Sequence, residues 1–509
     1  MKRSLIPIVA LFLFWTGIPS GYAEYPVERP ARKSPASAES TYTVLPNKNK
    51  QVIKGIGFEI QSDSIASGNK GLPEATTSVP HDLVPAERER FYREMLKGFR
   101  YCRLAGGLYW RGTDPEGKFL QGRWPEQITE IKEMMTTAGI EGVSLEYWSP
   151  APFWKANGAY VGRKNETNRL RCFGPEFAVD PLYQGDTDRF FNDFSGALVH
   201  DIRLLHENGI RVVKWGLQNE PRTDMGRPDY SRCGYTSDEY GKTFRAVAPA
   251  IRTFDPSIEI IADTWELRYA EPLMANPSSK SLIDALVLHH VGSDASAVPG
   301  AVVQARAKFG RDTPLYQNEY EYLLGPASPA RCLNTVQHMM NWFQIGEAPA
   351  WFWIHALKPI GNSEASGYSL GFWRPASDKN PTDNPKFPGL KAGHWTWNQY
   401  NWNAVGSFVK HMPWDCVGVE VQEENRDLDL RIFAFKRPNG KLTIVLSNRS
   451  FLEHTFKIST GLNNASFRGY RYTPENAGAN CGGVDIGTLS GGSIAPKLND
   501  LSWEFWEQQ

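Results

Sequence analysis

The chain reads as an α/β protein: a (β/α)8 TIM barrel followed by a C-terminal β-sandwich domain. Three observations point there. Eight short apolar runs, several separated by helical patterns, occupy about 300 residues. A turn-rich break follows at 376–394. Beyond it the apolar residues alternate with period two, as strands with one buried face require.

From the N-terminus, Met1-Lys2-Arg3 and the apolar run Leu5–Gly17 have the charge and length of a secretory signal peptide, with small residues before Glu24, so 1–23 is read as cleaved and the protein as secreted or periplasmic. Residues 24–40 are rich in Pro, Ser and Ala and read as a linker. Residues 41–50 are expected to supply a strand to the sandwich. The barrel is assigned to 51–390, with strands Gln51–Phe58, Tyr101–Leu104, Gly142–Tyr147, Val212–Leu217, Glu259–Ala262, Ala285–His289, Pro314–Gln317 and Ala350–Ile354. Helical periodicity covers Pro125–Ala138, Thr187–Asn208 and Ser237–Thr253. An open doubly wound sheet is the competing arrangement, but Gly55-Ile56-Gly57 lacks the third glycine of a phosphate-binding turn. Residues 391–509 form the sandwich, with Val417–Glu423, Leu428–Phe435, Lys441–Ser447 and Thr455–Ile458 as strands and Pro438-Asn439-Gly440 as a hairpin turn.

Composition removes several functions. The 56 basic and 56 acidic residues cancel, which argues against nucleic acid as the main partner. After Leu5–Gly17 no apolar stretch is long enough to span a bilayer, so no membrane partner is expected. The six cysteines are widely spaced without CxxC, so no zinc cluster is indicated; Cys172 and Cys233 are the candidate disulfide, with free buried thiols as the alternative. No cofactor or metal is implied. His289-His290 does not read as a metal pair, because adjacent strand residues face opposite sides.

Barrel sites lie at the C-terminal ends of the strands. The fourth strand ends in Gln218-Asn219-Glu220-Pro221 and the seventh in Gln317-Asn318-Glu319-Tyr320-Glu321. Two carboxylates on one rim are what glycoside hydrolysis uses, one as proton donor and one at the anomeric carbon. Glu321 shares a strand face with Glu319 and is the alternative nucleophile.

On these motifs, with Tyr147-Trp148-Ser149-Pro150 and Asn401-Trp402-Asn403-Ala404-Val405-Gly406, the chain resembles the clan A retaining glycoside hydrolases, family 30 most closely. The resemblance implies Glu220 as acid/base, Glu319 as nucleophile, Asn219 on the sugar 2-hydroxyl, Arg103 beside the nucleophile and a carbohydrate, a β-glycan, as partner. Arg103 would keep Glu319 ionised, whereas Glu220, desolvated beside that charge, is expected to have a raised pKa. The sequence departs from the family at His289-His290-Val291, where a His, any residue and a Tyr are usual. His290 or Tyr320 is expected to replace that Tyr at the nucleophile.

Trp353 is expected to floor the subsite of the scissile sugar, with Trp148, Trp265 and Trp110 as further stacking faces or as core. Arg111, Lys155, Arg163, Lys164, Arg169, Arg171, Arg222, Arg227, Arg232 and Arg268 lie on rim loops. They are either solvated charge or partners of a uronic or sulfated glycan. The expected activity is a secreted retaining glycosidase. A non-catalytic carbohydrate-binding protein and a transglycosylase are the alternatives. HExxH and Gly-x-Ser-x-Gly are absent, which leaves peptidase readings without support.

Overall fold

The computed structural model describes residues 39–60, 83–107, 126–162, 167–222, 227–322, 325–360, 369–376, 378 and 387–509. The signal-peptide reading and nearly all of the linker reading fall outside them. Eight parallel strands close a barrel: Gly55–Ile60, Tyr101–Gly106, Gly142–Tyr147, Val212–Gly216, Glu259–Trp265, Ala285–His289, Leu315–Tyr320 and Ala350–Trp353. The first, second, third and seventh are buried along their whole length, as strands covered by helices outside and by packed side chains inside must be. Closure between the eighth and first strands needs a glycine. A Cβ on Gly57 would lie 2.2 Å from the Phe352 ring.

The helices follow from their caps and stripes. Thr187–Glu207 starts at Asp186, whose side chain accepts from the Arg189 amide, and Ser237–Phe254 starts with a capping box between Thr236 and Glu239. The fifth helix is broken into two turns, Glu271–Met274 and Pro277–Lys280.

Two element readings change. Gln51–Ile53 end a long strand, Glu39–Ile53, that pairs with Cys416–Glu423 and His454–Ser459 in the C-terminal sheet, so the first barrel strand begins only at Gly55. Asn401–Gly406 lie in a helix, Gln399–His411, packed beside Pro329–Gln344. The barrel's last helix therefore lies beyond residue 391, where β-structure was expected to begin.

The C-terminal unit is one continuous hydrogen-bonded sheet of ten strands. Alternation splits its side chains. Leu430, Ile432 and Ala434 join Tyr42, Phe456 and Phe467 in a core that the sheet encloses, while Phe433 and Phe435 face the barrel core. Phe433 stacks on Phe343 of Pro329–Gln344 at 5.7 Å. Buried Arg431 and Arg449 complete the seam, bonding Glu423 with Asn341, and Asp429 with Asp294. Burying each such Phe contributes roughly 1.5–3 kcal/mol.

All six cysteines are free thiols, so the Cys172–Cys233 bridge is not formed. Burial favours the neutral thiol and pushes Cys233 up to about 11. No helix among the described residues is long and apolar enough to cross a membrane.

Candidate active site

The fourth strand delivers Glu220 through a tightly tied turn. The Asn219 amide donates to the Tyr147 carbonyl at 2.7 Å, and the Thr264 hydroxyl donates to the Gln218 carbonyl at 2.9 Å. Gln218 Nε2 anchors the same turn on the Trp148 carbonyl at 2.8 Å. Glu220 itself has φ of 41°. A left-handed glutamate costs roughly 1–2 kcal/mol, and these bonds hold it there.

The seventh strand delivers Glu319, whose neighbour in register on the sixth strand is His289. Arg103, fully buried on the second strand, donates from Nη1 to Glu319 Oε2 at 2.6 Å. It also meets Glu59, binds Glu146 through Nε at 3.0 Å and Nη2 at 2.8 Å, and donates to Asn219 Oδ1 at 2.6 Å. One guanidinium thus ties strands one, three, four and seven together below the rim. Trp148 lies against it, with the Arg103 Cζ 4.7 Å from the ring centre. Asn318 donates to Glu146 at 2.6 Å and completes the set.

His289 lies between the two rim carboxylates. Its Nδ1 is 3.2 Å from Glu220 Oε1 and 3.5 Å from Glu319 Oε2. Its Nε2 is 3.4 Å from Arg103 Nη2, which has only hydrogens to offer. One ligand atom from each of Glu220, His289 and Glu319 falls within 4.8 Å of the others. These three are the donor set that could hold a cation among the described residues. Arginine on both carboxylates already supplies the compensating positive charge.

The electrostatics of Glu220 reverse the sequence expectation. Burial does push its pKa up. The hydrogen bond from His289 and the charges of Arg232, His289 and Arg222 outweigh burial and bring it down to about 2. Arg232 Nη2 is 3.2 Å from Glu220 Oε2, and its Nη1 donates to the Glu220 carbonyl at 3.1 Å. Sequence reasoning counted the burial and the neighbouring carboxylate but not these bonds.

The structure separates the other candidates. His290 turns away to His338, 2.9 Å between ring nitrogens. The Tyr320 hydroxyl bonds Ser293 and Tyr322 rather than Glu319. Neither residue therefore stands in for the missing Tyr; His289 occupies the space between the carboxylates. Trp353 has no exposed surface and packs on Tyr320 and Trp351, so it offers no open face to a sugar. Trp148 is buried on Arg103 and serves that side chain. Glu321 sits apart from the rim pair, with the His355 Nε2 3.7 Å from its carboxylate. Trp265 is partly exposed at the end of the fifth strand, with Arg222 4.1 Å and Arg268 5.5 Å from its ring centre.

Several rim cations have structural partners. Lys155 is buried and donates to Asn168 at 2.9 Å and to the Tyr160 carbonyl at 3.1 Å. Arg169 pairs with Glu239 at 3.1 Å and Arg171 with Asp180 at 3.7 Å. Trp110, Arg111, Arg163 and Lys164 lie outside the described residues, as does the Arg227 side chain. Sequence reasoning missed Glu59, Glu146 and His355 altogether, and did not single out Arg232. The available signal was a lone charge inside an apolar strand, as in Gly-Phe-Glu59-Ile and Ser-Leu-Glu146-Tyr.

No family model matches the chain, and no curated protein matches it in sequence. Solved structures do match. The catalytic domain of a family 30 xylanase C from Talaromyces cellulolyticus superposes with a TM-score of 0.65 at 14% identity, over 92% of this chain and 100% of that one. An endo-β-1,6-glucanase superposes at 0.64 and 14%, over 93% and 94%. A conserved exported protein from Bacteroides fragilis superposes at 0.67 and 12%, over 92% and 100%. The chain thus shares the fold of the glycoside hydrolase family 30 structures, as the motif resemblance implied.

Proposed function

We propose that the protein is a retaining O-glycoside hydrolase that cleaves a β-linked oligo- or polysaccharide by double displacement. The observation that carries this reading is the rim pair, Glu220 just past the fourth strand and Glu319 on the seventh strand of a closed barrel, with an oxygen of one within 4.8 Å of an oxygen of the other. Retention requires a gap of about 5–5.5 Å, whereas inversion needs about 6.5–9.5 Å to admit a water.

Glu319 is the nucleophile. Its oxygen forms the bond to the anomeric carbon as the bond to the leaving oxygen breaks, and Arg103 holds it in line. The leaving oxygen takes a proton from Glu220. The charged form of Glu220 is favoured in the resting site, so Glu220 takes up that proton before the bond to the leaving oxygen breaks, against the pull of His289, Arg232 and Arg222. Once Glu319 is esterified its charge is gone. Glu220, charged again, then takes a proton from water, whose oxygen attacks the anomeric carbon and releases Glu319. Asn219, held by Arg103, presents its amide to the sugar 2-hydroxyl. The signal-peptide reading and the carbohydrate substrate together support action outside the cytoplasm.

Two variants test the roles. Glu220→Ala slows natural substrate by about 10²–10⁴-fold but spares the first step on an aryl glycoside with a good leaving group, and azide restores turnover as a β-glycosyl azide. Absence of rescue refutes the acid/base assignment. Glu319→Ala is inactive with its melting temperature retained. An active Glu319→Ala beside a dead Glu321→Gln refutes the nucleophile assignment.

A further inference from the structure

The charges around the rim pair are divided. On the Glu319 side, Glu59, Glu146, Glu319 and Glu321 are all buried or nearly so, and among the described residues Arg103 and Lys358 are the cations near them. His355, between Glu59 and Glu321, is held neutral because burial, with Lys358 and Arg103 nearby, drives its pKa well below the usual imidazole value. That side is acidic. On the Glu220 side the balance reverses. Arg232 and Arg222 act on Glu220 itself, and Arg222 and Arg268 flank the partly exposed face of Trp265. Glu266, on the same loop, is exposed to solvent. The Glu220 amide bonds the carbonyl of Thr264, the residue before Trp265, at 3.4 Å, and Arg222 bridges the two, lying 4.1 Å from the Trp265 ring centre while acting on Glu220.

Chemistry gives the two sides different occupants. The sugar whose anomeric carbon reacts must sit over Glu319. The departing sugar must place its oxygen at Glu220, so the groups beside Glu220 meet the leaving side. A carboxylate or sulfate over the acidic cluster is repelled, whereas one beside Trp265 meets two guanidinium groups that suit planar oxyanions, next to an aromatic face for the ring.

Resting on the glycosidase reading above, we propose that the enzyme takes a neutral sugar at the scissile position and a sugar bearing an anionic group on the leaving side, held by Arg222 and Arg268 at Trp265. The anion is a uronate or a sulfate ester; both present the same oxygens to the two arginines.

The test incubates the full-length protein with neutral, uronate-bearing and sulfate-bearing β-glycans and locates the charge in each product by mass spectrometry. The expected products carry a neutral sugar at the new reducing end and the charged sugar at the new non-reducing end. The uronate and sulfate arms separate the two anions. In Arg268→Gln, an exposed substitution, the ratio of kcat/KM for the charged glycan to that for a neutral one falls by about 10-fold or more. A charged sugar at the new reducing end overturns the proposal. So does a neutral glycan cleaved in preference, with the ratio unmoved in Arg268→Gln. Both results leave the glycosidase reading standing. That reading fails instead if no arm releases product and the aryl glycosides are also inert.

Discussion

His289→Asn separates the two carboxylates electrostatically and leaves the backbone in place. In the native protein Glu220 is drawn from the ordinary 4.5 down to about 2. At 1.36 kcal/mol per tenfold change, that is on the order of 3 kcal/mol in favour of its charged form. Burial opposes this, and His289 contributes both a hydrogen bond and a charge toward it, beside Arg232 and Arg222. Removing the ring takes that contribution away, so the Glu220 carboxyl should titrate above its native value, back toward the ordinary 4.5. Carbon-13 NMR of the glutamate carboxyls, assigned with Glu220→Gln, reads this directly. The activity profile should move the same way. The transferable proton sits on Glu220, so a carboxyl that titrates higher keeps its acid form to a higher pH, and the basic limb of kcat/KM shifts alkaline with it. A carboxyl titration that stays put, or a basic limb that moves acidward, refutes His289 as a group that holds Glu220 charged.

Two carboxyls away from the rim pair, one partly and one fully buried, make opposite predictions about stability. Glu259, at the start of the fifth strand, receives Lys214 at 2.7 Å and Lys54 at 2.8 Å; burial raises its pKa, but the two ammonium groups bring it down to about 2. A depressed folded pKa contributes stability above the ordinary value of 4.5 and loses it as pH falls toward 2, so native and Glu259→Gln should differ by roughly 3 kcal/mol at neutral pH and converge near pH 2 in denaturant titrations. Asp263 is the reverse case. Burial raises it to about 7 although the Tyr269 and Ala270 amides donate to it at 2.5 and 3.2 Å. Its contribution is full below the ordinary 3.8 and is lost as pH rises through 7, so Asp263→Asn should flatten the fall in melting temperature across that window. An equal slope in both proteins counts against the buried neutral carboxyl.

The barrel was legible because its signal is strong and local. Eight apolar runs with turns between them leave few arrangements, and reading what each strand ends with found Glu220 and Glu319. The helix Gln399–His411 was not legible. Its Gln-Tyr-Asn-Trp-Asn-Ala-Val-Gly-Ser run is poor in strong helix formers, and ten of its thirteen residues are buried, so no polar stripe marks the period. Trp353 misled for a related reason. An aromatic at a strand end packs into core or faces a ligand with the same letter, and only the neighbours Tyr320 and Trp351 decide.

The rim shows the deeper limit. Strand ends tell which side chains reach the mouth of the barrel, but a proton follows hydrogen bonds between particular atoms. Those depend on register: His289 stands opposite Glu319 across two strands, and Thr264 beside Asn219 across two others. A slip of one residue in the sixth strand would put His290 in that place and turn His289 toward the helices. Glu220 would then keep Arg232 and Arg222 but lose the imidazole, which is the state that His289→Asn imitates. Which group hydrogen-bonds a proposed acid/base, and so how firmly it is held charged, is therefore a property of strand pairing, and neither carboxylate's own sequence motif carries it.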